Sequence, residues 1–472
     1  MTKGRIVEVT PHSRGCAVAL DIEGNKFQAD FSYEPTESLD SSCQALAGIL
    51  AGNFALSYLP LDDMEFACSD EEEFCLMSTL AYQNRMSYAY LVRDDKRVSG
   101  HLLNTEPHYT WKRVKLDKVE AVQNPDRVLC FYSGGKDSTV SLKVLEAAGY
   151  SVLPFFVFLG KDAYRHTADD ALRLFLAGKR DFAVANTNID ELKPFFSKVI
   201  GLPLLEGTIR LYWVANALPL ATAINAKFVS LSNELTLTNV VNCAGRRVFN
   251  NLFDQTFPAG VLLNRLLERK GLPTIFSPVQ GLTIYAIEKI LSTRFPEEIA
   301  HQLSCNQPIY DDFTKQWRCC SRCKKCHSLY INAKALGLPP DIVRLDEEKV
   351  LGNRFDLEEL IGPDISQKEL EHCLAINNNY APDYKGISHP EVSGIQFSAA
   401  YHNPCLCLSS SEYDRFYKAL SKLLEGGIYL SNNGSKESSL EQVWDALRSY
   451  DYAFDGKEAK VMEKGGHRVW QR

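Results

Sequence analysis

The sequence lacks any apolar run of about 18 residues, the length that a helix needs to cross a bilayer. It also lacks internal repeats and low-complexity tracts, and 28 glycines and 20 prolines in 472 residues are too few for a collagen-like chain. Hydrophobic residues make up 45% and charged residues 24%, as in a globular protein. At roughly 100–200 residues per domain, this length predicts two to four domains.

The chain has no basic surplus either, because its net charge is −7. The first 100 residues hold eight Lys and Arg against sixteen Asp and Glu, so this part is a poor surface for phosphate backbones. Near the start, Lys3, Arg5 and Glu8 stand where a secretory signal peptide needs an apolar stretch. We therefore expect a cytoplasmic protein with no membrane partner. The charge does not favour a nucleic-acid partner, and the oligomeric state is not indicated.

Three regions differ in the pattern of their apolar residues. Residues 1–118 carry alternating stretches typical of strands and an acidic run at 70–73 that opens a helix, which predicts an α+β amino-terminal domain. Residues 351–472 form a mixed carboxy-terminal region in which we find no chemical motif. Within these two regions the sequence predicts strands at 4–10 and 16–22, a helix that contains 74–82, helices at 412–424 and 439–449, a helix that runs into a strand at 45–58, and loops at 377–379 and 381–386.

Between them, residues 119–350 alternate short apolar strands with helical patterns. The continuous apolar run at 152–159 is typical of a strand buried on both faces of a parallel sheet. Such alternation predicts an α/β domain with a doubly wound parallel sheet. The predicted strands are 128–132, 152–159, 182–185 and 228–231, and the predicted helices are 138–148, 169–177, 189–199 and 212–226.

The most specific motif is the hexapeptide Ser-Gly-Gly-Lys-Asp-Ser at 133–138, between a predicted strand and a predicted helix. Glycines let the backbone turn sharply and approach a phosphate, and the start of a helix offers N–H groups that bind anions. The spacing is neither that of the Walker loop nor that of the dinucleotide-binding loop. A serine–glycine turn capped by Asp137 is the structural alternative. The motif predicts a phosphate site made of Ser133, Gly134, Gly135, Lys136, Asp137 and Ser138.

Five of the fourteen cysteines fall between Cys305 and Cys326. The CxxCxxC spacing of Cys320, Cys323 and Cys326, with Cys305 upstream, predicts a metal site of four thiolates. Cys319 can replace Cys320 in principle, but the spacing to Cys323 favours Cys320. Structural Zn²⁺ suits this set best, and an iron–sulfur cluster or a site without metal are the alternatives.

The hexapeptide resembles the SGGxDS signature of the PP-loop ATP pyrophosphatase superfamily. The resemblance implies that ATP binds at the loop, that AMP is transferred to an oxygen of a substrate and that pyrophosphate is released. It also implies that Asp137 helps to hold Mg²⁺. Because adenine would lie where the parallel strands end, we expect Phe158 and Gly160, at the end of the second strand, to form its wall. The alternative for both is an ordinary strand end in the core.

Two zinc-bearing families of this superfamily are similar to the chain. The 7-cyano-7-deazaguanine synthases share the loop and the cysteine cluster, but they are roughly half as long and lack the amino-terminal domain. The ATP-dependent epimerases of UDP-N-acetylmuramoyl-L-alanyl-L-glutamate resemble it from about residue 50 to 330. They have an SNE triplet, here Ser232, Asn233 and Glu234, and phrases like those at 276–282 and 303–326. The histidine and lysine that follow their triplet are missing from residues 248–255, which implies a different substrate if those side chains hold it.

The epimerase resemblance implies that AMP joins a substrate carboxylate, which makes the neighbouring α-proton easier for a base to remove. Reprotonation from the other face would invert the centre, and hydrolysis would release AMP. The candidate catalytic residues are Glu234, at the end of a strand, and Asp254. Glu234 as a helix cap is the structural alternative, and we expect Glu288 to be a solvated helix residue. The substrate implied is a nucleotide-sugar peptide that ends in L-glutamate, or a related peptide-like metabolite.

Two other classes of function fit the same motifs. The scaffold can carry another adenylating reaction, such as amide or nitrile formation or modification of a tRNA base. A module that binds ATP without releasing pyrophosphate is the other class, and the intact hexapeptide argues against it.

Overall fold

The computed structural model describes residues 2–34, 39–115, 118–119, 124–159, 181–202, 210–249, 253–305, 307–353, 365–376, 386–399, 402–424, 426–431 and 435–463. Gly160, the predicted helix at 169–177 and the predicted loops at 377–379 and 381–385 lie outside these residues. None of the helices within them is long and apolar enough to span a bilayer.

A ten-stranded sheet organises the molecule. In chain order, its strands and those of the smaller sheets are β1 (Lys3–His12), β2 (Gly15–Ile22), β3 (Asn25–Glu34), β4 (Asp63–Cys68), β5 (His108–Arg113), β6 (Asn124–Phe131), β7 (Ser151–Leu159), β8 (Ala183–Thr187), β9 (Ala226–Ser230), β10 (Val240–Cys243), β11 (Arg246–Phe249), β12 (Thr274–Phe276), β13 (Ile309–Asp311), β14 (Gln316–Arg318), β15 (Ile395–Phe397), β16 (Ile428–Ser431), β17 (Ser435–Glu437), β18 (Tyr450–Phe454) and β19 (Ala459–Glu463). The order in the large sheet is β12-β9-β6-β7-β8-β3-β2-β1-β4-β5.

Strands β12, β9, β6, β7 and β8 pair in parallel, which confirms an α/β architecture with a mostly parallel sheet. At β8 the direction changes, because β3 pairs with it antiparallel, from Phe31 opposite Thr187 to Glu34 opposite Val184. The strands of residues 1–118 therefore extend the same sheet. The domain boundaries at 118 and 350 stay predictions.

The helices are α1 (Ser41–Ser57), α2 (Glu71–Leu91), α3 (Lys96–Asn104), α4 (Lys136–Ala147), α5 (Leu192–Ile200), α6 (Arg210–Ala223), α7 (Phe257–Lys270), α8 (Ile284–Arg294), α9 (Pro296–Ile299), α10 (Lys324–Ala335), α11 (Glu347–Gly352), α12 (Ile365–Ile376), α13 (Ser410–Leu424) and α14 (Leu440–Leu447). Short 3₁₀ turns lie at Ile189–Glu191, Leu235–Thr238, Phe253–Gln255, Pro390–Ser393 and Pro404–Leu406. Most predicted elements agree with these bounds to within a few residues.

Two predicted elements are wrong at their ends. Residues 45–58 do not run from helix into strand, since α1 continues to Ser57. Its glycines let it lie close to the sheet: a Cβ at Gly48 would stand 2.5 Å from the side chains of Val9 and Cys16. The predicted helix at 212–226 ends at Ala223. Asn225 has φ +56°, a left-handed conformation that asparagine tolerates, and β9 begins directly after it.

The fold brings several loops to one edge of the sheet. Because β6, β9 and β12 are parallel neighbours, the segments that follow their carboxyl ends lie side by side. The carboxy-terminal region packs next to this edge, where Phe416 of α13 meets Phe276 at 4.9 Å between ring centroids. This arrangement places the hexapeptide, the SNE triplet and the residues after β12 together.

Candidate functional site

The hexapeptide at 133–138 forms the turn between β6 and α4, here called the phosphate loop. Gly134 has φ +74°, a conformation that a side chain disfavours. Ser138 Oγ accepts a hydrogen bond from the backbone N–H of Ser133 (3.2 Å) and donates one to the carbonyl of Gly135 (3.0 Å). Gly135 is the N-cap of α4, so the first N–H groups of this helix have no acceptor within the helix. The local geometry is that of an anion-binding helix start.

A second segment holds the phosphate loop from outside it. In residues 302–305, here called the strap, the N–H of Leu303 donates to the carbonyl of Gly134 (3.2 Å). Ser304 Oγ accepts a hydrogen bond from the backbone N–H of Lys136 (3.1 Å). The strap ends at Cys305, which belongs to the cysteine cluster. The phosphate loop and the cysteine cluster are thus joined by one short stretch of backbone.

Lys136 is buried, with 4% of its surface exposed, and its ammonium group lies 2.8 and 2.9 Å from the two carboxylate oxygens of Asp137. Burial acts to lower the pKa of Lys136, but the negative charges of Asp137, Glu288 and Glu234 outweigh it and raise this pKa. The cation is therefore held charged beside the loop. Asp137 itself is partly exposed.

Other cations face the same space. Lys325, next to Cys326, is exposed to solvent, yet many protein atoms surround its side chain, as they do in a cleft. Partial desolvation lowers the pKa of Lys325, and the positive charges of Lys136 and Arg210 act in the same direction. Lys325 is thus near enough to Lys136 and to Arg210 to be repelled by both, which favours an anion beside it. Sequence reasoning missed Arg210, which begins α6 and belongs to no motif.

Glu288 corrects one expectation from the sequence. It is 1% exposed rather than solvated, because this face of α8 packs towards the phosphate loop. Its Oε2 accepts a hydrogen bond from Gln302 Nε2 (3.0 Å), and Gln302 Oε1 accepts one from Ser304 Oγ (3.2 Å). Burial raises the pKa of Glu288 to about 7, with Lys136 acting against this shift. A chain of hydrogen bonds therefore runs from Glu288 through the strap to the backbone of Lys136.

Glu234 follows β9 and is the N-cap of the 3₁₀ turn Leu235–Thr238. Its two oxygens accept hydrogen bonds of 2.5 Å from the backbone N–H and the hydroxyl of Thr236. Burial raises the pKa of Glu234 to about 7, and these hydrogen bonds oppose the shift. Glu234 thus caps a helical turn, which is the structural alternative to a catalytic role. It also lies near the charges of Lys136 and Asp137. Its catalytic role stays a prediction.

The carboxy-terminal region adds a carboxyl group that the sequence did not indicate. Glu369 of α12 is buried, and its Oε1 accepts a hydrogen bond of 2.5 Å from the backbone N–H of Tyr285 at the start of α8. Burial raises the pKa of Glu369 to about 8, and the nearby charge of Glu234 adds to this shift. No motif surrounds Glu369, so only the packing of α12 could reveal it.

Asp254 lies in the 3₁₀ turn Phe253–Gln255 and is 3% exposed. The hydroxyl of Tyr58 donates to its Oδ2 (2.7 Å) and accepts a hydrogen bond from the backbone N–H of Leu211 (3.0 Å). Among the described residues, Oδ1 of Asp254 has no hydrogen-bond partner. Burial raises the pKa of Asp254 to about 7, while Tyr58 and the nearby Arg210 act to lower it.

Asp254 also lines a pocket at the ends of β9 and β12, here called the Asp254 pocket. Asn233, Ser277 and Gln280 provide polar atoms, and Phe257 and Phe276 are among the apolar walls. The pocket has a cavity volume of about 30 Å³, roughly the space of two water molecules. Asn233, which lines the pocket, directly precedes Glu234, and Glu234 lies near the charge of Lys136.

The predicted adenine wall is described only in part. Phe158 lies near the end of β7, is 9% exposed and packs against Phe156 at 4.6 Å between ring centroids. Gly160 lies outside the described residues. Since β7 is the neighbour of β6, Phe158 lies on the strand next to the phosphate loop.

The four predicted metal ligands come together. The sulfur atoms of Cys305, Cys320, Cys323 and Cys326 all lie within 4.8 Å of one another. Sγ of Cys326 lies 3.6, 3.7 and 3.5 Å from those of Cys305, Cys320 and Cys323. Four sulfurs at 2.3 Å from a tetrahedral ion would be about 3.8 Å apart, so this cluster can bind a metal ion and is compatible with zinc.

Local backbone geometry explains why these thiols converge. Cys320 donates its backbone N–H to Cys305 Sγ (3.3 Å), and Ser321 adopts φ +57°, which turns the chain between Cys320 and Cys323. Cys319 instead directs its thiol towards the carbonyl of Val343 (3.8 Å). The choice of Cys320 over Cys319 from spacing is consistent with this cluster.

No protein-family model matches the chain, and no curated protein matches it either. The arguments for function therefore depend on the site itself.

Proposed function

We propose that the protein is an ATP-dependent adenylating enzyme, which converts ATP to AMP and pyrophosphate while activating a substrate carboxylate. The observation that carries this proposal is the phosphate loop: a glycine with φ +74° at the start of a buried helix, beside the buried cation Lys136. Lys325 and Arg210 add positive charge to the same space. A polyanion is the ligand that such a set of groups favours.

The expected chemistry follows from these groups. The N–H groups at the start of α4 that have no partner in the strap would, with Ser133, hold the phosphates of ATP and orient the α-phosphorus, and Ser138 would fix the turn that presents them. A carboxylate oxygen of the substrate would attack that phosphorus as the bond to the β-phosphate oxygen breaks and pyrophosphate leaves. Lys136 and Lys325 would stabilise the charge that develops on the leaving group.

Asp137 is the candidate ligand for Mg²⁺, which prefers carboxylate and phosphate oxygens and keeps several waters. Its carboxylate is partly exposed and stands at the loop, so it fits that role. The ion would neutralise phosphate charge when bound. In the present arrangement the same carboxylate pairs with Lys136.

We propose that the cysteine cluster holds Zn²⁺ as a structural ion. Four thiolates leave no open coordination position for substrate or water, which is typical of structural sites. The bound ion would fix Cys305 and, through it, the strap that contacts the phosphate loop. Iron–sulfur ligation is the alternative, and metal analysis with an absorption spectrum distinguishes the two.

The finer form of the proposal is epimerisation of a peptide-like carboxylate, as the family resemblance implies. Glu234 and Asp254 are the candidate bases, and burial raises the pKa of each to about 7, a value suited to proton transfer near neutral pH. Amide formation, nitrile formation or tRNA modification on the same scaffold is the competing form.

The test uses the whole chain with Mg·ATP and carboxylates labelled with ¹⁸O in D₂O, with UDP-N-acetylmuramoyl-L-alanyl-L-glutamate among them. Adenylation transfers one ¹⁸O to AMP and releases pyrophosphate. Deuterium at the α-carbon identifies epimerisation, and a new C–N bond identifies the competing form. Release of phosphate and ADP, or AMP without ¹⁸O, would contradict adenylation of a carboxylate.

A further inference from the structure

The Asp254 pocket is a separate feature of the site, with one buried oxygen that lacks a partner. Tyr58 donates its only hydroxyl proton to Oδ2 of Asp254, since this hydroxyl accepts the N–H of Leu211. Oδ1 has no described partner although Asp254 is 3% exposed. A buried carboxylate oxygen without a hydrogen bond is costly, so this oxygen is a ready acceptor for a donor group of a ligand.

The size of the pocket limits what that donor can be. A volume of about 30 Å³ suits a group as small as an ammonium or a carboxamide. The α-carbon of an adenylated substrate carries a bulky acyl phosphate and would not fit inside. The candidate bases of the proposed function would then narrow to Glu234, and Asp254 would bind the substrate rather than remove its α-proton.

The charges around the pocket point the same way. Asp254 is an acidic group, so a second carboxylate of the substrate would meet a like charge at short range. Arg210 carries a positive charge that acts on both Asp254 and Lys325, so it is near the pocket and near the cations beside the phosphate loop. A substrate could place its reactive carboxylate on the cationic side and an N–H group on the acidic side.

We propose that the Asp254 pocket is the specificity pocket for the substrate, and that it binds a terminal N–H donor group, a carboxamide or an ammonium, in preference to a second carboxylate. The inference rests on the proposed function only in treating the bound ligand as the substrate, because the binding preference can be measured without turnover. It gives a physical reason for a substrate other than one that ends in glutamate. The altered residues at 248–255 include Asp254 itself.

Three ligands of equal length test the proposal: N-acetyl-L-glutamine, Nα-acetyl-L-ornithine and N-acetyl-L-glutamate. They place a carboxamide, an ammonium and a carboxylate at the same distance from the α-carboxylate. Binding to the full chain is measured by calorimetry or ligand-detected NMR, with and without Mg·ATP. We expect the glutamine or the ornithine ligand to bind roughly tenfold or more tightly than the glutamate ligand.

The variant Asp254→Asn is nearly isosteric and still offers an oxygen to Tyr58, so its fold is expected to persist, and its melting temperature checks this. We expect it to lose the preference for the N–H ligands and to bind the glutamate ligand at least as well as the others. Asp445→Asn, an exposed carboxylate of α14 paired with Arg448, is the matched control and should keep the wild-type ratios.

Tighter binding of the glutamate ligand by the wild type, or unchanged ratios in Asp254→Asn, would overturn the proposal. Failure to detect Asp254-dependent binding of any of the three ligands at millimolar concentration would overturn it as well. A protein that shows the preference but releases no pyrophosphate would refute the proposed function and leave the specificity pocket standing.

Discussion

At the scale of single residues, the phosphate loop depends on hydroxyl groups with local partners. Ser138 is the example, because its Oγ both accepts from Ser133 and donates to Gly135. A hydroxyl with two partners fixes the turn, whereas a hydroxyl without any contributes nothing to it. The same helix contains both cases, since Ser141 is also fully buried and its Oγ has no described hydrogen-bond partner.

We therefore expect Ser138→Ala to weaken binding of Mg·ATP about tenfold and to cost about 1 kcal/mol of stability. Ser141→Ala, one turn further along α4, should leave both quantities within error or slightly raise stability. Nucleotide titration and urea unfolding measure the two effects. Equal losses in both variants would mean that the loop geometry does not carry the binding.

The buried carboxyl groups make the free energy of unfolding depend on pH. Glu288 titrates at about 7 in the folded protein against 4.5 for an ordinary glutamate. A raised carboxyl pKa means that the folded state holds its proton longer than the unfolded state, so this contribution is complete below pH 4.5 and is lost as pH rises through 7. Glu288→Gln should flatten the stability profile in this window, by roughly 2–3 kcal/mol between pH 5 and pH 8.

Urea unfolding at both pH values measures this effect. Asp445→Asn serves as the control, because an exposed group should leave the wild-type profile intact. A Glu288→Gln profile parallel to that of the wild type would show that Glu288 does not titrate in this range.

At the scale of elements, the strap links the phosphate loop to the cysteine cluster, two motifs that lie far apart in the sequence. Ser304 of the strap accepts a hydrogen bond from the N–H of Lys136, and Cys305 of the strap belongs to the cysteine cluster. Loss of the ion would free four thiols and release the end of the strap. The metal would then act on nucleotide binding through backbone position, without contact to the nucleotide.

Removal of the metal by a chelator should weaken Mg·ATP binding by about tenfold or more and lower the melting temperature, and returning Zn²⁺ should restore both. Ser304→Ala should keep one metal ion per chain, as measured by elemental analysis, and still weaken nucleotide binding. Nucleotide affinity that is unchanged after complete metal removal would refute the link.

The elements also show where sequence reasoning succeeds. The strand before the phosphate loop, the helix after it and the four cysteines follow from local patterns, because glycine turns, apolar runs and CxxC spacings have short-range causes. Glu369, Arg210 and Tyr58 were missed because tertiary packing alone brings them to the site. The sequence predicts a solvated Glu288, because the residues around it do not show which face of α8 is buried.

At the scale of the whole molecule, the amino-terminal region and the loop-bearing region share one sheet and one core. Phe31 and Tyr33 of β3 belong to the same hydrophobic core cluster as Phe155 of β7 and Tyr212 of α6. The predicted boundary at residue 118 therefore does not coincide with a boundary of the sheet. The pattern of apolar residues along the sequence predicts separate regions, but it does not show that β3 pairs with β8.

We expect residues 119–472, produced alone, to be aggregated or unfolded, because β8 would keep β7 but lose β3, and the shared core would be exposed. Circular dichroism and gel filtration of this fragment, beside the full chain, give the answer. A monomeric fragment with a cooperative melting transition would show that residues 119–472 fold independently.

Adenylation requires that the bond between the α-phosphorus of ATP and the oxygen that bridges to the β-phosphate breaks. Phosphorus NMR of the full chain with Mg·ATP and the panel of carboxylates, beside Ser138→Ala and Ser141→Ala, resolves AMP and pyrophosphate from ADP and phosphate. We expect AMP and pyrophosphate in equal amounts, with less of both in Ser138→Ala and wild-type amounts in Ser141→Ala. Formation of ADP and phosphate, or no change of ATP and no nucleotide binding by the phosphate loop, would contradict adenylation.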